Sequence, residues 1–453
     1  MKKIIIIIVG ILLAAFIAAY LGLKETGLQG SAFTAKNICS GVFVSQLPAA
    51  TVFEQAVVPA SPPLGLASYT VDDSKQIVTT RLLGLYQRAA QYRAGLGCTL
   101  IPVGEEALSV SRVRLRAGSA SGDESTNLEI GDTLLAAKLE RALDTAFSEN
   151  DSRGLKNTKA VVVLHAGKLV AERYAANIDF ESPLVGWSMT KSITNMLVGI
   201  LVRQGKLNVN DPAPVSEWAN DERKSITLND LLHMSSGLEF NETYGMNTDV
   251  TQMLTMQANA GAFAASKSLI HPPGEFWDYS SGTTNIIARI IHQTVGGDLA
   301  ASQQFARTEL FHPLGIHNVF LEPDPSGIFV GSSFLYLSAR DWAQLGQLML
   351  QDGVWRDQRI LPEGWVEYSV TPATANKDNE YGAHFWLNLD PTSTNKQRRW
   401  PDVPTDAYSM NGFQGQYVVI IPSHQLVVVR LGFTPNPVRP GMNQLLSDII
   451  AAL

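Results

Sequence analysis

The segment Ser188-Met189-Thr190-Lys191 constrains the fold of this chain more than any other. A serine and a lysine three positions apart stand where a helical pattern of apolar residues begins. Three residues make about one helical turn, so both side chains lie on one face near the helix N-terminus. The sequence therefore predicts a helix that carries two polar groups on its first turn. The apolar residues that indicate the helix are Met189, Ile193, Met196, Leu197, Ile200 and Leu201.

These two polar groups have a chemical reason to stand together. A serine hydroxyl is a weak nucleophile until a base removes its proton. An amine at the positive end of a helix dipole, partly removed from water, has its charged form disfavoured and can be that base. A Ser-x-x-Lys sequence alone is common, however, and also marks an ordinary helix start with an exposed lysine. The functional interpretation therefore depends on further residues.

Composition narrows the class of protein. The 453 residues are 45% hydrophobic and 17% charged, which is typical of a globular chain. The net charge of -7 argues against a nucleic-acid partner, because such proteins usually present a basic face. The eight histidines are scattered and no H-E-x-x-H sequence occurs, so neither a metal nor another cofactor is expected. No pattern indicates the oligomeric state.

The N-terminus predicts a membrane anchor. Lys2 and Lys3 precede an apolar run over residues 4–23, which Lys24 and Glu25 end. This run is long enough to span a bilayer, and the basic residues before it predict a cytoplasmic N-terminus. We therefore expect a single-pass protein of the cytoplasmic membrane with its catalytic domain on the periplasmic or other extracytoplasmic side. A cleaved signal peptide is the alternative, but the run is long for one and lacks a clear A-x-A site.

The chain has two cysteines, Cys39 and Cys98, and both follow the apolar run. On the exported side of a membrane, such a pair predicts a structural disulfide rather than a metal site or a nucleophile. Two free buried thiols are the alternative.

The composition divides the chain into three parts. Residues 1–25 are the anchor, residues 26–131 are a small N-terminal segment with its linker, and residues 132–453 are a large domain. Strand-like stretches occur at 41–45 and 76–82, and the stretch 117–126 is rich in Ser, Gly and charged residues, as in an exposed linker.

The large domain begins and ends with predicted hairpins. An amphipathic helix over residues 134–147 comes first, and Thr227 and Ser338 resemble the N-caps of later helices. This order predicts an α/β (α+β) domain in which an antiparallel sheet joins both ends of the domain and is flanked by helices. The chain between the two hairpins is expected to form a mostly helical subdomain. The hairpin strands are expected over 160–165 with 168–174 and over 416–421 with 425–431.

Two further segments carry groups suited to the chemistry of a serine nucleophile. Tyr279 opens Tyr279-Ser280-Ser281, and a tyrosine near an ammonium has its phenolate favoured, so it could take the serine proton or relay it. Gly412-Phe413-Gln414-Gly415-Gln416 precedes the last hairpin, where glycines let a substrate approach the backbone. An amide there and the Ser188 amide could form an oxyanion hole. A core tyrosine and a simple β-turn are the structural alternatives.

Together these segments resemble the serine β-lactamase and penicillin-recognising superfamily. The match is to its class C-like branch, which includes esterases, D,D-peptidases and 6-aminohexanoate-oligomer hydrolases. It covers about residues 132–453, and it is specific because order and spacing agree as well as composition. The residues that carry it are Ser188-Met-Thr-Lys191, Tyr279-Ser-Ser281, the Gly-rich segment before the terminal strand, Gly205-Lys-Leu207 with Asp211-Pro212, Leu231-Leu-His-Met-Ser-Ser-Gly237, Pro273-Gly274, and Tyr381-Gly382 with Phe385-Trp386.

The resemblance implies a β-lactamase-like fold and hydrolysis through an acyl-enzyme. Ser188 would be the nucleophile, Lys191 its activator and Tyr279 a proton relay. Ser281 would stand where the family often has asparagine, and it would hydrogen-bond Lys191 or the substrate.

The third family motif, which is Lys or His, any residue, then Gly, falls on Phe413-Gln414-Gly415. The resemblance implies that this segment borders the substrate and that the Gln416 amide is the second oxyanion donor. In penicillin-processing members a cation at the first position helps hold a substrate carboxylate, which phenylalanine cannot do. We therefore expect a small neutral or apolar-tailed ester or amide, including an amide like that of the 6-aminohexanoate hydrolases.

Other functions stay open at this point. A Ser-His-Asp hydrolase would draw on His233 or His271, but the sequence around Ser188 lacks the second glycine of a nucleophile elbow. The departure at Phe413 favours a catalytically weak or inactive binding or scaffold protein. A D,D-peptidase or β-lactamase is a further alternative.

Overall fold

The computed structural model describes residues 2–105, 107–108, 131, 133–149, 154–393 and 395–453. The predicted linker over 117–126 lies outside these residues. The helices are α1 (Lys2–Phe43), α2 (Ala49–Val52), α3 (Thr133–Phe147), α4 (Thr190–Arg203), α5 (Leu228–Leu232), α6 (Asp249–Thr255), α7 (Ala260–Ala265), α8 (Ser281–Thr294), α9 (Leu299–Ala306), α10 (Ala339–Leu350), α11 (Trp365–Val370) and α12 (Met442–Ala452). The strands are β1 (Ala67–Asp72), β2 (Ile77–Leu82), β3 (Tyr86–Arg93), β4 (Gly97–Leu100), β5 (Thr158–His165), β6 (Lys168–Tyr174), β7 (Leu184–Val185), β8 (Phe320–Leu321), β9 (Leu335–Leu337), β10 (Val354–Trp355), β11 (Gln358–Arg359), β12 (Trp386–Leu387), β13 (Tyr408–Gly412), β14 (Gln416–Ile421) and β15 (Leu426–Gly432).

An antiparallel six-stranded sheet joins the two ends of the large domain. Its strand order is β12-β13-β14-β15-β5-β6, so the C-terminal strand β15 pairs directly with β5. In that pairing Val428 lies opposite Val163. Both predicted hairpins and the sheet that connects the chain ends are therefore confirmed.

Both faces of this sheet are covered by helices, which explains why its central strands are apolar at successive positions. Val161 and Val163 of β5 belong to one buried cluster, which includes residues of α3 and α12. Val162 and Leu164 point the other way, into the larger core that contains residues of α10. Successive side chains of a strand face opposite sides, so a sheet buried on both faces needs apolar residues at both.

A glycine sets the distance between α10 and the sheet. A Cβ atom at Gly346 would lie 2.6 Å from Val427 Cγ1 and 2.8 Å from Val418 Cγ1. The helix backbone therefore packs directly on the valines of β14 and β15, and any larger residue at this position would push the helix away.

The helical part between β7 and β8 contains α4 to α9, as the sequence predicted. Thr227 and Asp230 form a capping box at α5, in which each side chain bonds the backbone amide of the other residue. The Ser338 side chain caps α10 by accepting from the Asp341 amide at 3.1 Å. Both predicted N-caps are confirmed.

The N-terminal segment packs a long helix on a sheet of its own. The strands β1 to β4 form an antiparallel sheet, and α1 lies against β2, β3 and β4. The strand expected at 76–82 is present as β2. The strand expected at 41–45 is wrong, because Gly41–Phe43 complete α1. The apolar residues before it, which include the fully buried Ala35 and Ile38, recur at helical spacing and extend the helix to this point.

Two connections fix α1 to its surroundings. Cys39 in α1 and Cys98 in β4 form the predicted disulfide. Lys36 forms a buried ion pair with Glu322 of the large domain. Glu322 also accepts hydrogen bonds from Ser40 Oγ at 2.8 Å and from the Cys98 amide at 2.6 Å. One buried carboxylate thus connects the helix, the disulfide and the large domain.

For most residues of the predicted membrane anchor, the structure describes the backbone but not the side chain. The backbone of residues 4–23 belongs to α1. In the parts of the chain that the structure describes, no helix combines the length and the hydropathy that a bilayer crossing requires. The anchor itself stays a prediction.

The buried ion pair predicts a large loss of stability when only one partner is removed. Lys36→Met should lower the free energy of unfolding by about 3–5 kcal/mol, because Glu322 would stay buried without its counter-charge. Guanidinium-induced unfolding followed by circular dichroism measures this change.

The double variant Lys36→Met/Glu322→Gln is the control for that prediction. Glutamine can still accept the hydrogen bonds of Ser40 and Cys98 but carries no charge, so most of the lost stability should return. Equal destabilisation of the single and double variants would show that the unpaired charge is not the cause.

Candidate active site

The nucleophile turn follows β7 directly. Gly186 donates its amide to Leu335 O at 2.9 Å, and residues Trp187–Met189 form a short 3₁₀ turn that leads into α4. Trp187 has a φ of 47°, a left-handed conformation that is unfavourable for a bulky residue. Its ring is held by Phe33 (6.2 Å between centroids), Phe334 (5.8 Å) and Phe413 (5.5 Å). Aromatic packing therefore holds the strained residue that precedes Ser188.

Lys191 lies on the first turn of α4 and is 1% exposed. Its Nζ donates to Ser188 Oγ at 3.1 Å, to Ser281 Oγ at 3.0 Å and to Ser332 O at 3.2 Å. These three bonds match the three donors of an ammonium group. The serine and lysine that the sequence paired are in contact, and the predicted hydrogen bond of Ser281 to Lys191 is present.

A carboxylate that no sequence motif marks completes this network. Glu242 accepts from the Ser281 amide at 2.7 Å and from Ser281 Oγ at 2.6 Å. Ser281 therefore bridges the amine of Lys191 and the carboxylate of Glu242. The sequence around Glu242, Phe240-Asn-Glu-Thr-Tyr244, contains no recognised pattern from which its role could have been predicted.

Burial shifts the protonation of both charged groups in this network. Removal from water lowers the pKa of Lys191 to about 8, although the negative charge of Glu242 acts in the opposite direction. Burial raises the pKa of Glu242, and the positive charge of Lys191 opposes that rise. Neutral lysine is therefore accessible close to physiological pH, which an exposed lysine would not allow.

Tyr279 converges on the same cleft. Its ring lies 4.9 Å from Lys191 Nζ and packs on Tyr381 at 5.7 Å and on Trp386 at 5.4 Å between centroids. Burial and the charge of Glu242 raise the pKa of Tyr279, despite hydrogen bonding to Ser188. The expectation that the phenolate is favoured is therefore wrong, because burial and the charge of Glu242 outweigh the hydrogen bonding to Ser188 and the charge of Arg399. Tyr279 is a phenol that holds its proton.

The segment Leu231–Gly237 positions the chain that carries Tyr279. Met234 O accepts from the Asp278 amide at 2.9 Å, and Ser235 O accepts from the Gly274 amide at 2.8 Å. Gly237 has a φ of 75°, and a Cβ there would lie 2.0 Å from the carbonyl oxygen of His271. The two backbones approach so closely that a side chain at Gly237 cannot be accommodated.

Tyr244 is a second residue that sequence patterns did not reveal. The residue is 48% exposed, and its ring stacks on Phe413 with 5.7 Å between centroids and an angle of 8°. Burial and the charge of Glu242 raise the pKa of Tyr244 well above its usual value, whereas hydrogen bonding to Ser281 and Ser188 acts in the opposite direction. Tyr244 therefore combines a ring packed on Phe413 with a hydroxyl group that senses the charge of Glu242.

The loop of the third motif lies against the nucleophile turn. Gly412 pairs with Gln416 across the hairpin, and a Cβ at Gly412 would lie 2.1 Å from the carbonyl oxygen of Gly186. The Gln416 side chain is buried, donates to Phe413 O at 3.0 Å and accepts from the Gly432 amide at 2.9 Å. It holds the loop in place, and the oxyanion role of its backbone amide stays a prediction. The loop turns at Gln414 and Gly415, both with positive φ.

The histidines considered for a Ser-His-Asp site have other contacts. His233 Nδ1 lies 3.2 Å from Asn229 O, and its ring packs on Tyr368. His271 stacks on Phe276 at 4.2 Å between centroids. Neither contacts Ser188 within the described residues, whereas the amine of Lys191 does. In the same described ranges, no group of three His, Cys, Asp or Glu side chains is placed to hold a metal ion.

Comparisons with known proteins agree with this geometry. A family model described as Beta-lactamase matches residues 143–448. The chain belongs to the Beta-lactamase family. The resemblance inferred from the motifs is thereby confirmed, and the protein is a serine hydrolase of this family.

A similar curated protein is the 6-aminohexanoate-dimer hydrolase of Paenarthrobacter ureafaciens. It is 24% identical over 301 residues, which cover 62% of this chain and 74% of the relative.

Two solved structures show the same fold. A family VIII carboxylesterase has a TM-score of 0.54 at 14% identity, covering 72% of this chain and 99% of the other. A penicillin-binding protein homologue from Caulobacter crescentus has a TM-score of 0.53 at 13% identity, with the same two coverages.

The charges of Lys191 and Glu242 predict how the rate of Ser188 modification depends on pH and how a substitution at Glu242 shifts that dependence. The rate at which a fluorophosphonate modifies Ser188 should rise with pH through about 8, because only the neutral amine of Lys191 can accept the hydroxyl proton. Glu242→Gln removes the negative charge that raises the pKa of Lys191, so the midpoint should move to lower pH. Modification rates measured between roughly pH 6 and pH 10 give both midpoints.

Glu239→Gln is the matched control, because Glu239 lies in the same loop with an exposed side chain. Its midpoint should equal that of the unmodified sequence. An unchanged midpoint in Glu242→Gln would show that the carboxylate does not govern the amine.

Proposed function

We propose that this protein hydrolyses a neutral, apolar-tailed ester or amide through an acyl-enzyme on Ser188, activated by Lys191 and Tyr279, and that residues 4–23 hold it at a membrane. One observation carries the catalytic proposal: Lys191 Nζ lies 3.1 Å from Ser188 Oγ, in surroundings that lower the pKa of the amine to about 8. A nucleophile and a base poised near neutral pH are thus already in hydrogen-bond contact.

Acylation follows from this contact. The neutral amine of Lys191 takes the hydroxyl proton while Ser188 Oγ forms a bond to the substrate carbonyl carbon. The carbonyl electron pair moves onto oxygen, and the resulting anion needs hydrogen-bond donors that are already oriented. The Ser188 amide and an amide of the 412–416 loop, whose Gly412 packs on Gly186, supply these donors.

The leaving group needs a proton when its bond to carbon breaks. The pKa of Tyr279 is raised, so its phenol carries a proton and donates it to the departing nitrogen or oxygen. The ammonium of Lys191, 4.9 Å from the Tyr279 ring, then restores that proton. A water molecule then attacks the acyl carbon while Lys191 takes its proton. The bond from the acyl carbon to Ser188 Oγ breaks, and the Lys191 ammonium returns the proton to Oγ.

Glu242 supports the charged stage of this cycle. When Lys191 becomes an ammonium, the carboxylate behind Ser281 supplies the opposite charge. The two buried groups then form a compensated pair instead of an isolated cation. Glu242 thereby positions and balances the base without touching the substrate.

The substrate class follows from the residues around Ser188. Phe413 occupies the motif position at which a cation would help to bind a substrate carboxylate. Its ring packs between Trp187 and Tyr244. This wall favours an apolar group. The similar 6-aminohexanoate-dimer hydrolase and carboxylesterase have names that indicate amide and ester substrates, which fits the proposed reaction.

The proposed location rests on the sequence and on the disulfide. Lys2 and Lys3 precede the apolar run 4–23, and a disulfide such as Cys39–Cys98 is typical of an oxidising compartment outside the cytoplasm.

Deletion of residues 2–24 should move the protein from the carbonate-washed membrane fraction to the supernatant. Recovery of the full chain in the supernatant would rule out the anchor.

Fluorophosphonate labelling tests the catalytic proposal. The full chain should be labelled on Ser188, and Ser188→Ala should abolish the label. Lys191→Ala should slow labelling by about a hundredfold or more, because the base is lost while the nucleophile stays. Mass spectrometry of the labelled peptides identifies the modified residue.

Tyr279→Phe tests the proton-donor role of Tyr279 independently of the base role of Lys191. It should keep Ser188 labelling but reduce amide turnover more than turnover of esters with good leaving groups, which need no proton. Equal losses on both substrate types would refute the relay. A folded protein without any label on Ser188 would instead support the inactive scaffold.

A further inference from the structure

The N-terminal segment contributes to a cavity beside the active site. The cavity has a volume of about 170 Å³. Phe33 of α1 and Ala60 and Leu64 of the following turns form one side, and Trp187, Tyr244 and Phe413 of the hydrolase domain form another. The family model matches residues 143–448, so the first side comes from residues outside the matched range.

We propose that this cavity is the acyl-chain pocket of the enzyme and that residues 26–66 determine which chains it accepts. The occupant is the unbranched aliphatic acyl tail of the ester or amide substrate. This inference rests on the proposed function, whose site it extends.

The cavity lies beside the nucleophile. Trp187, which directly precedes Ser188, lines it, and so does Tyr244, whose ring stacks on Phe413. Phe413 reaches the cavity from the loop that packs on Gly186. In the proposed complex, the acyl tail bonded to Ser188 Oγ extends past Tyr244 and Phe413 into this space.

The position of Tyr279 indicates which half of the substrate enters. As the proton donor, Tyr279 marks the side of the leaving group, and its ring packs on Tyr381 and Trp386. Neither of those two residues lines the cavity, which lies on the side of Trp187 and Phe413. The acyl half is therefore the half that faces the cavity.

On the N-terminal side, Thr26, Gln29 and Ser61 also line the cavity, but the side chains of Phe33, Ala60 and Leu64 give it an apolar surface that suits a hydrocarbon chain. Leu64 is 5% exposed, and Phe33 is half-buried with its ring stacked on Trp187 at 6.2 Å between centroids. Burying a methylene chain against such surfaces is favourable, and an apolar pocket binds a charged or strongly polar tail poorly.

Hydrogen bonds hold this side against both loops of the site. Gln414 Nε2 of the third-motif loop donates to Ala56 O at 2.8 Å. The Asn247 amide, three residues after Tyr244, donates to Gln29 Oε1 of α1 at 3.0 Å. Together with the Lys36–Glu322 ion pair, these bonds fix the segment in place, so its side chains can select substrates by shape.

Ester chain-length preference tests the inference. The ratio of kcat/KM for p-nitrophenyl octanoate to that for p-nitrophenyl acetate is measured with the full chain. Ala60→Trp fills the cavity and should lower this ratio by roughly tenfold or more, and Phe33→Ala removes part of the wall and should lower it as well. Using a ratio cancels any general loss of active protein.

Phe43→Ala is the matched control. Phe43 is also a half-buried aromatic residue of α1, but it stacks on Tyr92 and does not line the cavity. Its ratio should equal that of the unmodified chain. Ratios that stay unchanged in Ala60→Trp and Phe33→Ala, with Ser188 still labelled by fluorophosphonate, would overturn the acyl-pocket inference alone. Absence of Ser188 labelling in the unmodified chain would overturn the proposed function and this inference together.

Discussion

The amine of Lys191, enclosed on the first turn of α4 and hydrogen-bonded to the Ser188 hydroxyl, is the feature on which the rest of the site depends. Its burial lowers the pKa to about 8, so the residue can exchange a proton with a hydroxyl under mild conditions. The same burial would leave its charged form isolated. Glu242 supplies the balancing charge, and Ser281 connects the two groups. The nucleophile, the base and the counter-charge therefore form one electrostatic unit.

The fold brings this unit together from distant parts of the chain. Ser188 and Lys191 lie at the start of α4, Ser281 lies at the start of α8, and Glu242 comes from the loop before α6. The six-stranded sheet joins the two ends of the domain and places the Gly412 turn against Gly186. The N-terminal segment then adds a wall beside this turn. The proposed catalysis thus depends on the fold of the hydrolase domain, whereas the proposed selectivity for acyl chains depends on the N-terminal segment.

Local sequence patterns predicted much of this arrangement. Short-range sequence signals predicted the hairpins and the capped helices, and the predicted exported location of the cysteines predicted the Cys39–Cys98 disulfide. The structure contains all of them. The motifs around Ser188 and Tyr279 located the cleft because their residue types have a chemical reason to converge. The strand expected at 41–45 failed because a long helix overrode a short β-like stretch.

The remainder required three-dimensional information. Glu242 and Tyr244 belong to a loop whose sequence has no periodicity or motif, and their roles come only from contact with Ser281 and Ser188. The sequence predicts the pKa shift of Tyr279 in the wrong direction, because it reveals neither the burial of this residue nor the nearby charge of Glu242. The packing of α1 beside Trp187 likewise depends on long-range contacts, which local patterns do not encode.

A covalent intermediate is the most direct test of the central claim. The enzyme is mixed with an aliphatic p-nitrophenyl ester, quenched in acid within the first turnovers, digested and analysed by mass spectrometry. If Ser188 is the nucleophile, the peptide that contains it gains the mass of the acyl group, and this adduct disappears as hydrolysis proceeds. Turnover of the ester with no adduct on that peptide, or with the acyl group on a different residue, would contradict this role of Ser188.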